Sequence, residues 1–241
     1  VAMAETSREG GSTVVALTNN DASPLAEVSH VNFHIAAGAE LSVAATKTFV
    51  SSIVAGLMVV AHWTKDTDLQ YALQKLPEDF DCAIGCDWSP LADRICKRSD
   101  RSGSLYALGR GPSFAIAKEC ALKFKETCQL HAEAYSAAEV LHGPVSIAKE
   151  GFPILALATR DASESGIVVS CQLLARRGVN VFVTADDVAP ATRLPFAKGS
   201  HPLTDPLVQV VSFYMFVERL ARRLGLDPDD PPHLRKVTET V

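Results

Sequence analysis

Residues 104–128 read SLYALGRGPSFAIAKECALKFKETC. Ser104 to Leu108 is a short apolar run, followed by Gly109-Arg110-Gly111 and then Pro112. The run predicts a buried strand and the glycines a turn. The proline predicts the first position of a helix, where its missing N–H costs nothing. Ala117, Cys120, Ala121 and Phe124 then recur at helical spacing and mark an apolar stripe. Strand, glycine turn and amphipathic helix make one βα unit, and such units in series build a parallel sheet. The dinucleotide fingerprint is incomplete, because Phe114 stands where its third glycine belongs. Arg110 reads equally as a solvated turn residue and as a group facing an anion.

The same grammar recurs outward from this unit. Residues 1–9 read as the end of a helix closed by Gly10 and Gly11, Thr13–Thr18 as a strand, Ser23-Pro24 as the start of a short helix and Val31–Ile35 as a second strand. Downstream, 152–157 (FPILAL) and 178–183 read as strands around a helix over 162–177, and Leu207–Leu224 as a long helix. Between the two series, Lys47–Trp63 predicts a largely buried helix, and 67–76 and 79–97 further helices broken near Pro77 and Pro90. Trp63 and Trp88 read as packing residues. The predicted fold class is α/β, with two lobes, each a parallel sheet flanked by helices. Residues 1–97 form the first lobe with a helical connector, 98–225 the second, and 226–241 a tail. The sequence opens at Val1 inside what already reads as a helix, so the first lobe is expected to be incomplete at its N-terminus.

The 241 residues are 47% hydrophobic and 21% charged, ordinary for soluble globular chains, with a formal net charge of −5 and no basic stripe of the kind nucleic-acid binders carry. Phe49–Trp63 is too short and too mixed for a membrane span, and no signal peptide is evident. Cys82 and Cys86 are not followed by a second pair at zinc-ligand spacing, so the cysteines read as free thiols of a cytoplasmic protein.

Chemistry concentrates in 121–144, ALKFKETCQLHAEAYSAAEVLHGP. Lys123, Glu126, His131, Glu133, Glu139 and His142 crowd this stretch, and His and a tuned Glu are the usual acid–base groups near neutral pH. Glu119, Lys123 and Glu126 share one helix face. Glu119–Lys123 reads as an exposed salt bridge of little worth, or Lys123 and Glu126 as ligand contacts at the helix end. Residues 36–48 follow the second strand, and ligands of open α/β sheets bind beyond strand carboxyl ends. Ala44, Ala45 and Thr46 there suit a ligand at a helix start, or only tight packing. In the tail, prolines forbid a regular helix, but Leu226, Leu234 and Val237 offer apolar anchors. A tail folded back over a site would bring Lys236 with it.

Four segments together resemble the sugar isomerase (SIS) family, specifically the isomerase half of glucosamine-fructose-6-phosphate aminotransferase and related glucosamine-6-phosphate deaminases: 38–49 (GAELSVAATKTF), 108–111 (LGRG), 121–144 and 231–241 (PPHLRKVTETV). The resemblance implies a homodimer acting on a sugar phosphate. It implies Glu126 as the base that moves a proton between C1 and C2, with Lys123 beside it. It also implies His142 as the ring-opening group, perhaps serving the neighbouring subunit, and Lys236 as the lysine meeting the open-chain carbonyl. Val43 and Ala45, with Thr46, match the loop lining the sugar. Neither metal nor redox cofactor is required for such a shift. The family's serine/threonine phosphate loop lies upstream of this sequence's start, Ala45 replaces a serine, and no glutaminase segment is present. If the natural chain is not much longer, the last of these departures favours a deaminase/isomerase over a glutamine-dependent synthase. A silent sugar-phosphate sensor is the third expectation, disfavoured by the joint presence of Glu126, His142 and Lys236.

Overall fold

The computed structural model of the protein describes residues 1–97 and 103–236. After α1 (Ala2–Glu9), β1 (Val15–Thr18) runs into α2 (Pro24–Val28) and returns as β2 (Val31–His34). The two strands pair in parallel, Val15 opposite Val31 and Thr18 opposite His34. Pro24 opens α2, and the Ser23 hydroxyl accepts the Ala26 N–H at 3.3 Å, a capped start that the Ser-Pro pair predicts. Three helices follow, α3 (Lys47–Thr64), α4 (Thr67–Ile84) and α5 (Ser89–Cys96).

The second sheet is larger. β3 (Leu105–Gly109), α6 (Pro112–Cys128) and β4 (Ala132–Ser136) are followed by β5 (Pro153–Ala156), α7 (Glu164–Arg176), β6 (Asn180–Val183), β7 (Thr192–Arg193) and α8 (Asp205–Arg223). All five strands are parallel, in the order β4-β3-β5-β6-β7. β3 and β5 are buried along their whole length. Because successive side chains point to opposite faces, β3 feeds two cores. Leu105 and Ala107 join Trp88, Phe124, Phe213 and Phe216 under α5, α6 and α8, while Tyr106 and Leu108 join Ile167, Cys171 and Leu174 under α7. At the β3–α6 turn a Cβ on Gly109 would overlap the Ser113 carbonyl, so the tight junction needs glycine there.

The chain is therefore α/β with parallel sheets flanked by helices. Four local expectations are corrected. First, α4 does not break at Pro77 but continues through it to Ile84, because Leu69, Ala72, Leu76 and Ala83 stay buried on both sides of the proline, with α8 packed against the helix. Second, α3 is not largely buried. Only Ala61 is; Phe49, Val50, Ile53 and Leu57 pack inward, while Met58, Val60 and Trp63 face out. Among the described residues α3 is the one helix long and apolar enough to cross a membrane by length and composition, and one side of it is packed on protein. Third, Trp63 is 84% exposed and packs on nothing comparable to Trp88, whose buried indole donates to Pro195 O at 2.8 Å. Fourth, residues 132–136 form an edge strand inside the stretch read as a polar cluster.

Candidate active site

α6 positions the central groups. Gln129 adopts the left-handed conformation (φ 53°) and ends the helix, with Leu130 N–H returning to Phe124 O at 3.1 Å, so Glu126 stands in the last turn. Lys123 Nζ donates to Glu126 Oε2 at 2.7 Å and lies 3.2 Å from Glu119 Oε1. The Tyr214 hydroxyl, from α8, donates to that same Glu119 oxygen at 2.7 Å. Thr127 Oγ1 donates to the Lys123 carbonyl at 2.8 Å.

Burial decides between the two readings of this helix face. Glu119 and Lys123 are 7% and 3% exposed, so theirs is no solvated surface pair. α8 lies across the face and excludes water. A buried ammonium is tolerable only because carboxylates on both sides compensate it, and removing either side leaves an unpaired charge. Burial first, and then the charge of Glu119, push the Tyr214 hydroxyl far above its ordinary range, so it remains a neutral donor.

Lys123 and Tyr214 face a cavity of about 250 Å³ that is also lined by Ser42, Ala44, Thr46 and Asp229. Glu126 reaches this cavity through its bond to Lys123, its own side chain being 22% exposed. Glu40 builds the loop on the near side. Its Oε1 accepts the N–H groups of Thr46 and Lys47 at 2.7 and 2.9 Å, and its Oε2 that of Thr48 at 3.0 Å. These are orphan donors of the first turn of α3, where a carboxylate also meets the positive end of the helix dipole. Burial alone would raise the Glu40 carboxyl. The bonds from Thr48, Thr46 and Lys47 outweigh it and lower the group from 4.5 to about 2.

The tail folds back on this loop. Ser42 Oγ donates to Asp229 Oδ1 at 2.5 Å, Val43 N–H to Asp229 O at 3.3 Å, and Lys236 Nζ to Ser42 O at 2.5 Å. Pro228 and Pro231 are buried, whereas the expected anchor Val237 lies outside the described residues. Lys236 thus stands at the rim of the cavity. Val43 takes part through its amide, and Thr46 lines the space directly. No hydrogen bond or ion pair ties the Ala45 side chain, a methyl group, to the cavity.

His142 sits elsewhere. It ends a single 3-10 turn (Glu139–His142), is exposed, and does not line the cavity with Lys123. Its segment is nonetheless fixed. Gly143 takes φ 151°, open to glycine, and the buried Tyr106 donates its hydroxyl to Pro144 O at 3.0 Å. Burial pushes that hydroxyl up to about 12. Of the other titratable groups, His131 Nδ1 pairs with Ser104 Oγ at 2.8 Å and Glu133 accepts from Tyr135 at 2.6 Å. Both contacts are local to the β3–β4 edge.

The structure therefore places Lys123 and Thr46 on one cavity, ties Glu126 to it through Lys123 and Lys236 through Ser42, and leaves His142 apart. It adds Glu40, Ser42, Tyr214 and Asp229, which sequence reasoning did not reach. Glu119 carried a signal in its spacing from Lys123. Tyr214 carried none, being one of three aromatics on α8, between Phe213 and Phe216. Among the described residues no three His, Cys, Asp or Glu side chains gather as a metal-ligand set. Chemically, the site offers a partly exposed carboxylate bonded to a buried ammonium, and a second amine at the rim.

A family model described as the SIS domain matches residues 1–62 and 100–194. Glutamine–fructose-6-phosphate aminotransferase [isomerizing] of Pyrobaculum aerophilum is 33% identical over 243 residues, covering 97% of this chain and 40% of the relative. The chain spans about two fifths of the length of the curated relatives it matches. Among solved structures, a candidate phosphosugar isomerase from Silicibacter pomeroyi is 51% identical with a TM-score of 0.90, over 95% of this chain and 68% of that one. The C-terminal domain of glucosamine-fructose-6-phosphate aminotransferase from Francisella tularensis is 25% identical with a TM-score of 0.73, over 95% and 69%.

Proposed function

The chain belongs to the SIS domain family, with a phosphosugar-isomerase fold, and from that premise we propose that it is an amino-sugar-phosphate isomerase/deaminase converting glucosamine 6-phosphate to fructose 6-phosphate and ammonia. The observation that carries this reading is the Lys123–Glu126 pair on a cavity rimmed by Lys236. In the open-chain aldehyde, Glu126 takes the proton from C2 and returns it to C1. C1 becomes a hydroxymethyl group and C2 an imine, which water hydrolyses to the ketone and ammonia. One carboxylate serves both transfers because the carbons are adjacent. The Lys123 ammonium stabilises Glu126 as carboxylate before the first transfer and after the second, which favours return of the proton it carries in between. Lys236 meets the open-chain carbonyl and, as an ammonium, gives its oxygen the proton that makes the C1 hydroxyl, regaining one as the C2 amine becomes the imine.

His142 is the ring-opening acid in this proposal and acts in the partner's site, since it faces outward from its own cavity. The protein is accordingly a homodimer, and a cytoplasmic one. The two sheets are the cores of two SIS lobes, over 1–97 and 98–225, with 226–241 as the tail across the site. Val43, Ala45 and Thr46 line the sugar.

Ammonia release from glucosamine 6-phosphate tests the reading. The wild type is expected to release it, Glu126→Gln to lose about 10²–10⁴-fold of the rate, and a mixture of Glu126→Gln and His142→Asn chains to recover part of it through hybrid dimers. No release by the wild type overturns the activity; no recovery overturns the shared site. The second reading, the isomerase part of a glutamine-dependent aminotransferase, is favoured by the activity for which the curated relatives are named and by the 40% of their length that the chain covers. Glucosamine 6-phosphate formation from fructose 6-phosphate, dependent on glutamine in the natural gene product, distinguishes it.

A further inference from the structure

Glu119 Oε1 is shared. It accepts the Tyr214 hydroxyl at 2.7 Å and lies 3.2 Å from the Lys123 ammonium, which donates instead to Glu126 at 2.7 Å. Two carboxylates thus compete for one buried cation, and the farther competitor is the one already holding a neutral donor. A carboxylate oxygen that already accepts a short O–H donor has one of its lone pairs engaged and part of its charge compensated, and so holds a second donor less strongly. We propose that Tyr214 is a positioning residue: by occupying Glu119 Oε1 it turns Lys123 towards Glu126 and so sets the protonation of the base. The consequence for the base rests on the function proposed above; the placement of Lys123 does not.

The surroundings leave Tyr214 well suited to this task. Its hydroxyl stays neutral because burial and the neighbouring charge of Glu119 both oppose ionisation, with Cys120 and Glu40 adding to the effect. It therefore donates to Glu119 throughout the working pH range. The other charged groups facing the cavity are Glu218 on α8 and Asp229 in the tail, with Lys236 at the rim on the Ser42 carbonyl. Glu218 is engaged by Arg222, and Asp229 by Ser42. Lys123 is the cation inside the cavity, and the direction of its bond decides which carboxylate it neutralises.

The test uses the whole chain as purified, with Tyr214→Phe and Glu119→Gln compared with the wild type. Crystal structures read the placement without reference to activity. In Tyr214→Phe the Lys123–Glu119 separation is expected to close to about 2.8 Å and the Lys123–Glu126 separation to open past about 3.2 Å. In Glu119→Gln, Lys123 is expected to remain on Glu126. Unchanged separations in Tyr214→Phe overturn the proposal, whatever the enzyme turns over. The pH–rate profile then reads the consequence. A base whose ammonium is drawn towards Glu119 holds its proton to higher pH, so the acidic limb of kcat in Tyr214→Phe is expected above that of the wild type, and that of Glu119→Gln at or below it. A general loss of packing lowers the plateau in both variants without moving the limbs apart, and that result overturns the tuning role. A wild type with no turnover sinks the functional reading alone, because the separations still decide the positioning.

Discussion

The two sheets of this protein use the same local grammar and end in different environments. β3 and β5 are buried on both faces, with α5, α6 and α8 on one side and α7 on the other. β1 buries only Ala16, and β2 none of its four residues, leaving Val15, Val31 and Phe33 exposed. Yet 13–18 (TVVALT) and 104–108 (SLYAL) would be ranked alike by composition. Burial is a property of the layers a strand receives, and parallel sheets are stable when both faces are covered. The candidate site lies where the regions meet. The loop leaving β2 faces α6 and α8, so the sparsely packed sheet contributes a loop and the densely packed one the titratable groups.

Substitutions can break or sharpen this contrast. Phe124→Ala, in the aromatic cluster with Phe213 and Phe216, is expected to cost about 3–5 kcal/mol in urea denaturation. Lys123→Met is expected to cost a similar amount, about 3–5 kcal/mol, because it strands Glu119 and Glu126 without their cation. If that variant kept wild-type stability, the buried triad would be dispensable to the fold.

Glu40→Ala tests the meeting point of the two regions. Loss of the α3 cap is expected to cost about 1–2 kcal/mol near neutral pH. The sign of its pH dependence follows from the lowered carboxyl. The folded group sits at about 2, below its ordinary 4.5, so its contribution is whole above 4.5 and disappears as pH falls towards 2. Acid unfolding of the wild type should therefore show a component between those values that Glu40→Ala lacks. Equal slopes for both proteins in that window would contradict the capping role. The smallest effect is expected at Phe33→Ser on β2, within about 0.5 kcal/mol. A loss there as large as that of Phe124→Ala would mean that this face is covered in the assembled protein, and the contrast between the sheets would collapse.

Much of the larger region was legible. The glycine turn at 109–111, Pro112 and the apolar stripe through Phe124 gave α6 its place, and the Ser23-Pro24 pair gave α2 its start. β4 was not, although Ala132 and Ala134 alternate with Glu133 and Tyr135, because the titratable side chains around them drew the reading towards a site. Pro77 misled because a helix rule based on one lost hydrogen bond does not weigh the burial of Leu76 and Ala83 on either side of it. Trp63 misled because size and apolarity suggest packing, while only neighbours supply it.

By itself the sequence determined what is local: which residues start and end helices, which runs alternate as strands, and which helix face gathers Glu119, Lys123 and Glu126. Those features depend on spacing along the chain. The tertiary structure alone decided that this face is dry, that Tyr214 shares an oxygen with Lys123, that Asp229 and Lys236 close on Ser42, and that His142 stands apart. Each joins segments far apart in sequence or depends on what covers a surface, and no periodicity records either.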